Sequence, residues 1–213
     1  MSRREKLESV FWLGGSPCSG KTSISELLCS RFDLNVYHVD EAFQNHTKIL
    51  DPVRHPALTK WFRSSWEERW MQPIDDLVHD AIACYQEHFA LIREDLLAMP
   101  KQQSLLVEGT VLLPRDVATI LPNRNQAIWL IPTPDFQRDH YSQRAWVRGV
   151  VEQCSNAEVA FSNWMERDVQ FAKWIEAEVA ALNLRLLKVD GTHTLETNAE
   201  VVASHFQLNQ WGV

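Results

Sequence analysis

Between residues 15 and 22 the chain reads GSPCSGKT, a run of glycines and small residues that ends in a lysine and a hydroxyl. Glycines let successive backbone N–H groups curl around an oxyanion, and a helix starting there adds the positive end of its dipole. A lysine contributes a mobile positive charge, and the threonine after it can ligate Mg²⁺. The chemistry such a set suits is the holding of a polyphosphate by Gly15, Ser16, Pro17, Cys18, Ser19, Gly20, Lys21, Thr22 and Ser23, with Lys21 on the β- and γ-phosphates of a nucleotide and Thr22 on the metal. The stretch matches GxxxxGK[ST], for which a chance occurrence in a chain of this length has a probability on the order of 1%. The alternative is a glycine-rich turn with no ligand. The Cys18 thiol fills a position whose side chain the pattern does not use, so it is incidental to the loop or else a redox switch.

Two further groups could do chemistry with a bound phosphate. NVYHV runs into Asp40, and LLV runs into Glu108, Gly109 and Thr110. In an open parallel sheet, ligands lie beyond the carboxyl ends of the strands, so both acids should face the crevice that holds the loop. Each acid alone could equally be a helix cap or a turn former. QRDHYSQRAWVR carries Arg138, Arg144 and Arg148. Arg144 and Arg148 stand one helical turn apart, which makes them a pair that closes on phosphate or a solvated basic face.

These residues need elements to hold them. Short apolar runs at 10–13, 35–39, 105–107, 127–131 and 184–189 have strand length and lack helical period, which predicts five strands. Between them, 22–32 and 73–98 carry apolar residues on one helical face, and Thr133-Pro134-Asp135 opens another helix with a hydroxyl cap and proline in the first turn. Strands that are apolar throughout and alternate with helices imply a parallel sheet covered on both faces: an α/β, three-layer fold. At 213 residues the chain is expected to form a single domain, residues 1–213.

A formal charge of -7 and the lack of any basic run argue against a nucleic-acid partner. Cys18, Cys29, Cys84 and Cys154 form no CxxC pair, which suits reduced thiols in a cytoplasm. The opening MSRREKLES and the few apolar residues after it are too short for a signal segment or a membrane span, so no membrane partner is expected.

With the loop, the two acids and the arginine-bearing helix in this order, the layout resembles the P-loop small-molecule and nucleotide kinases over most of the chain. Within that family it looks more like the chloramphenicol phosphotransferase, zeta-toxin, gluconate and shikimate kinases than like adenylate kinase, which has Asp-Gly-Phe-Pro-Arg where this chain has Glu108-Gly109-Thr110. The resemblance implies a P-loop NTPase fold with an acceptor-site insert at about 41–100 and a helical lid at about 133–155. It implies ATP and Mg²⁺ as cofactors, and a small-molecule acceptor whose hydroxyl proton Asp40 takes. Glu108 holds the metal or orients the acceptor, and these two roles could be exchanged. Gly191 and Thr192 in VDGTHT lie beside the adenine, Arg138, Arg144 and Arg148 meet phosphate, and Arg167-Asp168 matches an Arg-Asp element that follows the lid.

In the insert, KWFRSSWEERWMQP places Phe62, Trp66 and Trp70 at i, i+4 and i+8, a stripe that suits a core or a pocket wall. Trp61, off that stripe, could wall an aromatic or sugar-bearing acceptor. Arg63 and Arg69 could hold an anionic group, or Arg63 could pair with Glu67 at the surface. His46 is a surface or loop residue or else faces the acceptor. The expected activity is transfer of the γ-phosphate of ATP to a small-molecule hydroxyl by a monomer or homodimer. A nucleotide kinase with a phosphate acceptor and a regulatory module with slow hydrolysis are the alternatives.

Overall fold

The computed structural model describes residues 7–100 and 104–208. Residues 1–6, part of the opening segment read above, lie outside them. Five strands, β1 (Val10–Gly15), β2 (Asn35–His38), β3 (Leu105–Glu108), β4 (Ala127–Pro132) and β5 (Arg185–Val189), form one sheet in the order β2-β3-β1-β4-β5. Every pairing is parallel. Side chains alternate across the sheet, as the two-residue period of a strand requires. Phe11, Leu13, Leu106, Ile128 and Leu130 face a cluster with Ile24 and Leu28 of α1 (Lys21–Phe32) and with Val202 and Phe206 of α10 (Leu195–Phe206). Trp12, Val107, Trp129 and Ile131 face the other way, onto Phe89 and Ile92 of α5 (Ile74–Ala98) and Phe171 and Ile175 of α9 (Ala157–Ala181). The three central strands β1, β3 and β4 are therefore buried on both faces, and the fold is α/β with helices on both sides of a parallel sheet.

The connections between β2 and β3 and between β4 and β5 add a third body of helices. The first contains α2 (Val39–His46), α3 (Pro56–Arg63) and α4 (Trp66–Trp70) ahead of α5, and the second contains α7 (Pro134–Ser142) and α8 (Ala145–Val151) ahead of α9. A short α6 (Pro114–Ala118) follows β3. Glu87 of α5 accepts from the backbone N–H groups of Ala57 and Leu58 at 3.0 and 2.9 Å, supplying the cap that His55 does not give α3. Ser65 and Glu68 form a reciprocal capping box that starts α4. Trp70, Leu77, Tyr141, Val147, Val151, Ala160, Trp164 and Met165 then pack together as a separate apolar cluster beyond the carboxyl end of the sheet.

Both 25-residue helices serve two clusters: α5 and α9 each give one end to the sheet core and the other to this helical cap. No helix among the described residues is long and apolar enough to cross a membrane.

Candidate active site

The glycine-rich loop after β1 is held by close backbone approach. Gly15 has φ 125°, and a Cβ there would sit 1.9 Å from the Leu130 carbonyl oxygen, to whose strand the loop is tied by Ser16 N–H at 3.0 Å. Cys18 (φ 62°) and Gly20 (φ 79°) are also left-handed, so the chain reverses between Gly15 and α1. Gly20 is the N-cap of α1 and offers it no side-chain acceptor, and no acid sits in the first turn. The orphan N–H groups and the dipole of a 12-residue helix are thus free to meet an external anion.

Lys21 is buried, and its Nζ donates to the Ser16 carbonyl at 2.7 Å and to Ser19 Oγ at 3.3 Å. Burial pulls its pKa down, and the nearby carboxylates of Glu108 and Asp40 oppose that pull. Burial likewise pushes the Cys18 thiol up, against Arg144 and Lys21.

Sheet register supplies the acid. Glu108 ends β3 opposite Leu13 of β1 and His38 of β2. Its carboxylate, 4% exposed as a residue, accepts from Thr22 Oγ1 at 3.3 and 3.5 Å and lies 2.8 Å from His38 Nδ1. Asp40 is in the first turn of α2, and it is exposed.

A cleft of about 560 Å³ joins these groups. One end is Pro17 to Ser23, with Glu108, Gly109 and Thr110, and Asp40 and Arg144 also line the cleft. The other end is aromatic: Trp61, Trp66, Trp70, Tyr85, Tyr141, Trp146 and Trp164, with Arg69 and Arg167 among them. Trp70 stacks on Trp164 at 4.4 Å and 11° and meets Trp61 edge-on at 6.1 Å. Arg167 is in ionic contact with Asp168 at 2.8 Å, both buried, and its guanidinium lies over the Trp70 ring.

Of the residues singled out in the sequence, loop residues 17–23, Asp40, Glu108 and Arg144 share this cleft, as do Trp61, Trp66, Trp70, Arg69 and Arg167, while Gly15 and Ser16 are outside its lining. Arg148 does not share it. The chain leaves the helix at Gln143, and Arg144 takes extended backbone as the N-cap of α8, so Arg144 and Arg148 do not share a helical face. Arg148 is paired with Glu152 at 2.6 Å, with its side chain 82% exposed. Arg138 lies 3.8 Å from Glu166 and is half-exposed, outside the cleft lining. Gly191 (φ 84°) packs against Phe136 and Thr192 bonds Asp190, also outside that lining. The turn they form leads to Leu195, whose Cδ1 would be 3.7 Å from a Cβ on Gly20.

The Phe62, Trp66, Trp70 stripe is not a single helical face, because α3 and α4 are separated by extended Ser64 and Ser65. Phe62 is 54% exposed while Trp70 is buried. Glu67 accepts from the backbone and hydroxyl of Ser155 rather than pairing with Arg63. His46 is neither on the surface nor in the cleft: it is buried between His88 and Asp95, 2.9 Å from each.

The sequence reading left out His38 and the cleft aromatics Tyr85, Tyr141, Trp146 and Trp164. Only register shows that His38 adjoins Glu108, and the aromatics come from segments far apart in the chain.

No protein-family model matches the chain, and no curated protein does. Among solved structures it is similar to an uncharacterized protein from Eubacterium ventriosum, with 12% identity over 94% of this chain and 98% of that one and a TM-score of 0.48.

Proposed function

We propose that the chain is an ATP-dependent phosphotransferase of the P-loop kinase type that moves the γ-phosphate to a hydroxyl of a small molecule. The observation that carries this reading is that one cleft gathers the glycine-rich loop, Glu108, Asp40 and Arg144 from four separate stretches of the chain.

Thr22 and Glu108 juxtapose a hydroxyl and a carboxylate, hard oxygen donors that suit Mg²⁺, which typically takes one or two protein oxygens and keeps waters and phosphate oxygens besides. Bound there with ATP, the ion would neutralise charge across the phosphates. Lys21 is restrained by neutral partners, the Ser16 carbonyl and the Ser19 hydroxyl, that can yield it to a phosphate oxygen. Arg144 adds positive charge from the cleft lining.

Asp40 takes the hydroxyl proton. The acceptor oxygen forms its bond to the γ-phosphorus, the bond to the β–γ bridging oxygen breaks, and ADP carries away that electron pair. Glu108 is occupied by Thr22 and His38, whereas Asp40 borders the cleft exposed, which favours Asp40 as base.

The test is ADP formation by the purified protein with Mg-ATP and pooled nucleosides, sugars, polyols, hydroxy acids and antibiotics. Acceptor-dependent ADP that falls on the order of 10³-fold in Lys21→Ala is expected. ATP binding with only acceptor-independent hydrolysis across the pools rejects the assignment.

A further inference from the structure

We infer that the acceptor carries an oxyanion, a carboxylate or a phosphate, which Arg69 binds at the tryptophan-lined end of the cleft; this rests on the phosphotransferase reading for the word acceptor, and on the cleft alone for the anion. Arg69 lies on the cleft wall, with its guanidinium carbon 4.5 Å from the ring centroid of Trp61 and 4.5 Å from that of Trp66. Its Nη2 donates to the Trp61 carbonyl, while Nε is buried and meets no acceptor.

Three other arginines of this part of the fold have carboxylate partners. Arg167 is beside Asp168, Arg138 beside Glu166, and Arg148 beside Glu152. Arg69 has no carboxylate ion pair among the described residues. Glu68 and Asp80 line a small cavity on its other side, but Glu68 is taken up by Ser65 and Asp80 by Lys60 at 2.6 Å and Gln72 at 3.3 Å. Burial accordingly pulls the Arg69 pKa down, opposed by Cys84 and by no carboxylate.

A half-buried cation with no counter-ion loses hydration that two aromatic rings restore only in part. The ring contacts and the Trp61 carbonyl leave Nη1 and the second N–H of Nη2, and such a pair matches a planar or tetrahedral oxyanion. The open indole surface beside it suits a flat ring on the same ligand. Arg144, in the same lining and over the Tyr141 ring, also lacks a carboxylate partner, so this part of the cleft attracts anions and opposes amines.

Binding is measured without ATP, by quenching of tryptophan fluorescence, with para-hydroxymethylbenzoate, para-hydroxymethylphenyl phosphate, the neutral para-hydroxymethylbenzamide and the cationic para-aminomethylbenzyl alcohol. At least one anion is expected to bind at least about tenfold tighter than the amide, and the amine weakest. The tighter of the two anions identifies the group as carboxylate or phosphate. The preference should vanish in Arg69→Gln, return in part in Arg69→Lys, which keeps the charge without the planar edge, and persist in Lys21→Ala.

Equal affinity for anions and amide, a preference that survives Arg69→Gln, one lost instead in Lys21→Ala, or no quenching by either anion up to millimolar concentration overturns the inference. Anion preference through Arg69 with no ADP formed from any pool overturns the phosphotransferase reading and leaves the site standing. Transfer to neutral acceptors, undiminished in Arg69→Gln, does the reverse.

Discussion

The two ends of the cleft are made in different ways. At the loop end, eight consecutive residues, 15 to 22, do most of the work: three left-handed positions turn the chain and α1 begins without a side-chain cap. At the aromatic end, α3, α4, α5, α7, α8 and α9 each contribute one to three residues, and the wall exists only when all are docked. Backbone geometry specifies the first end, and side-chain packing specifies the second. A substitution in the cap should therefore damage binding of one partner and the stability of the cap together, whereas one at the loop end should change chemistry and leave the fold intact.

The largest effect expected is on stability. Trp70 is 1% exposed and stacked on Trp164, so Trp70→Ala should cost about 4 kcal/mol in denaturant unfolding while ATP affinity at neutral pH, with the cap still folded, stays near wild type. Equal loss of ATP affinity would mean that the two ends are not separable.

Next comes acid sensitivity. Burial, reinforced by His46 and opposed by Asp95, lowers the His88 pKa from 6.5 to about 4. Between those values the unfolded chain binds a proton that the folded chain does not, so stability falls as pH drops through that window, by at most about 3 kcal/mol, and is unaffected by His88 above it. Chemical unfolding at neutral and acid pH should show this slope, reduced in His88→Gln; an unchanged slope would leave the loss to other groups.

Asp40→Asn should lower turnover about 10²-fold with ATP binding retained, since the base is removed and the loop is not. Unchanged turnover would shift the base to Glu108. The smallest effect is assigned to Arg148→Ala: an exposed ion pair at the helix surface adds little to stability, and turnover should match wild type, while a clear loss of turnover would bring Arg148 into the site.

How far the sequence carried follows the same division. Strand positions agree to within one or two residues, since buried parallel strands announce themselves as short apolar runs. The helices expected at 22–32 and 73–98 are Lys21–Phe32 and Ile74–Ala98. The break in the tryptophan stripe was also written in the sequence: Ser65 and Glu68 have the S-x-x-E spacing of a capping box, which marks a helix start in the middle of an apparent helical pattern.

The break at Gln143 and Arg144 has no glycine or proline to signal it. It places Val147 and Val151 in the cap cluster, a demand made by residues far away in the chain. His46 was unreadable for the same reason: its partners His88 and Asp95 lie on α5, more than forty positions on, and together they pin the helix that carries Asp40.

The two long helices also govern how the molecule should come apart. Because α5 and α9 each run without interruption from the cap into the sheet core, the cap has no hinge of its own along which to detach, and its opening must unwind these helices from their amino-terminal ends. Amide hydrogen exchange along either helix should therefore form a gradient, fastest near Ile74 and Ala157 and slowing toward the turns that hold Ile92 and Ile175, with no step marking a boundary between two foldons. Ligand in the aromatic end would slow exchange at the amino-terminal turns first, so the position along one helix becomes a scale on which occupancy of the cleft can be read.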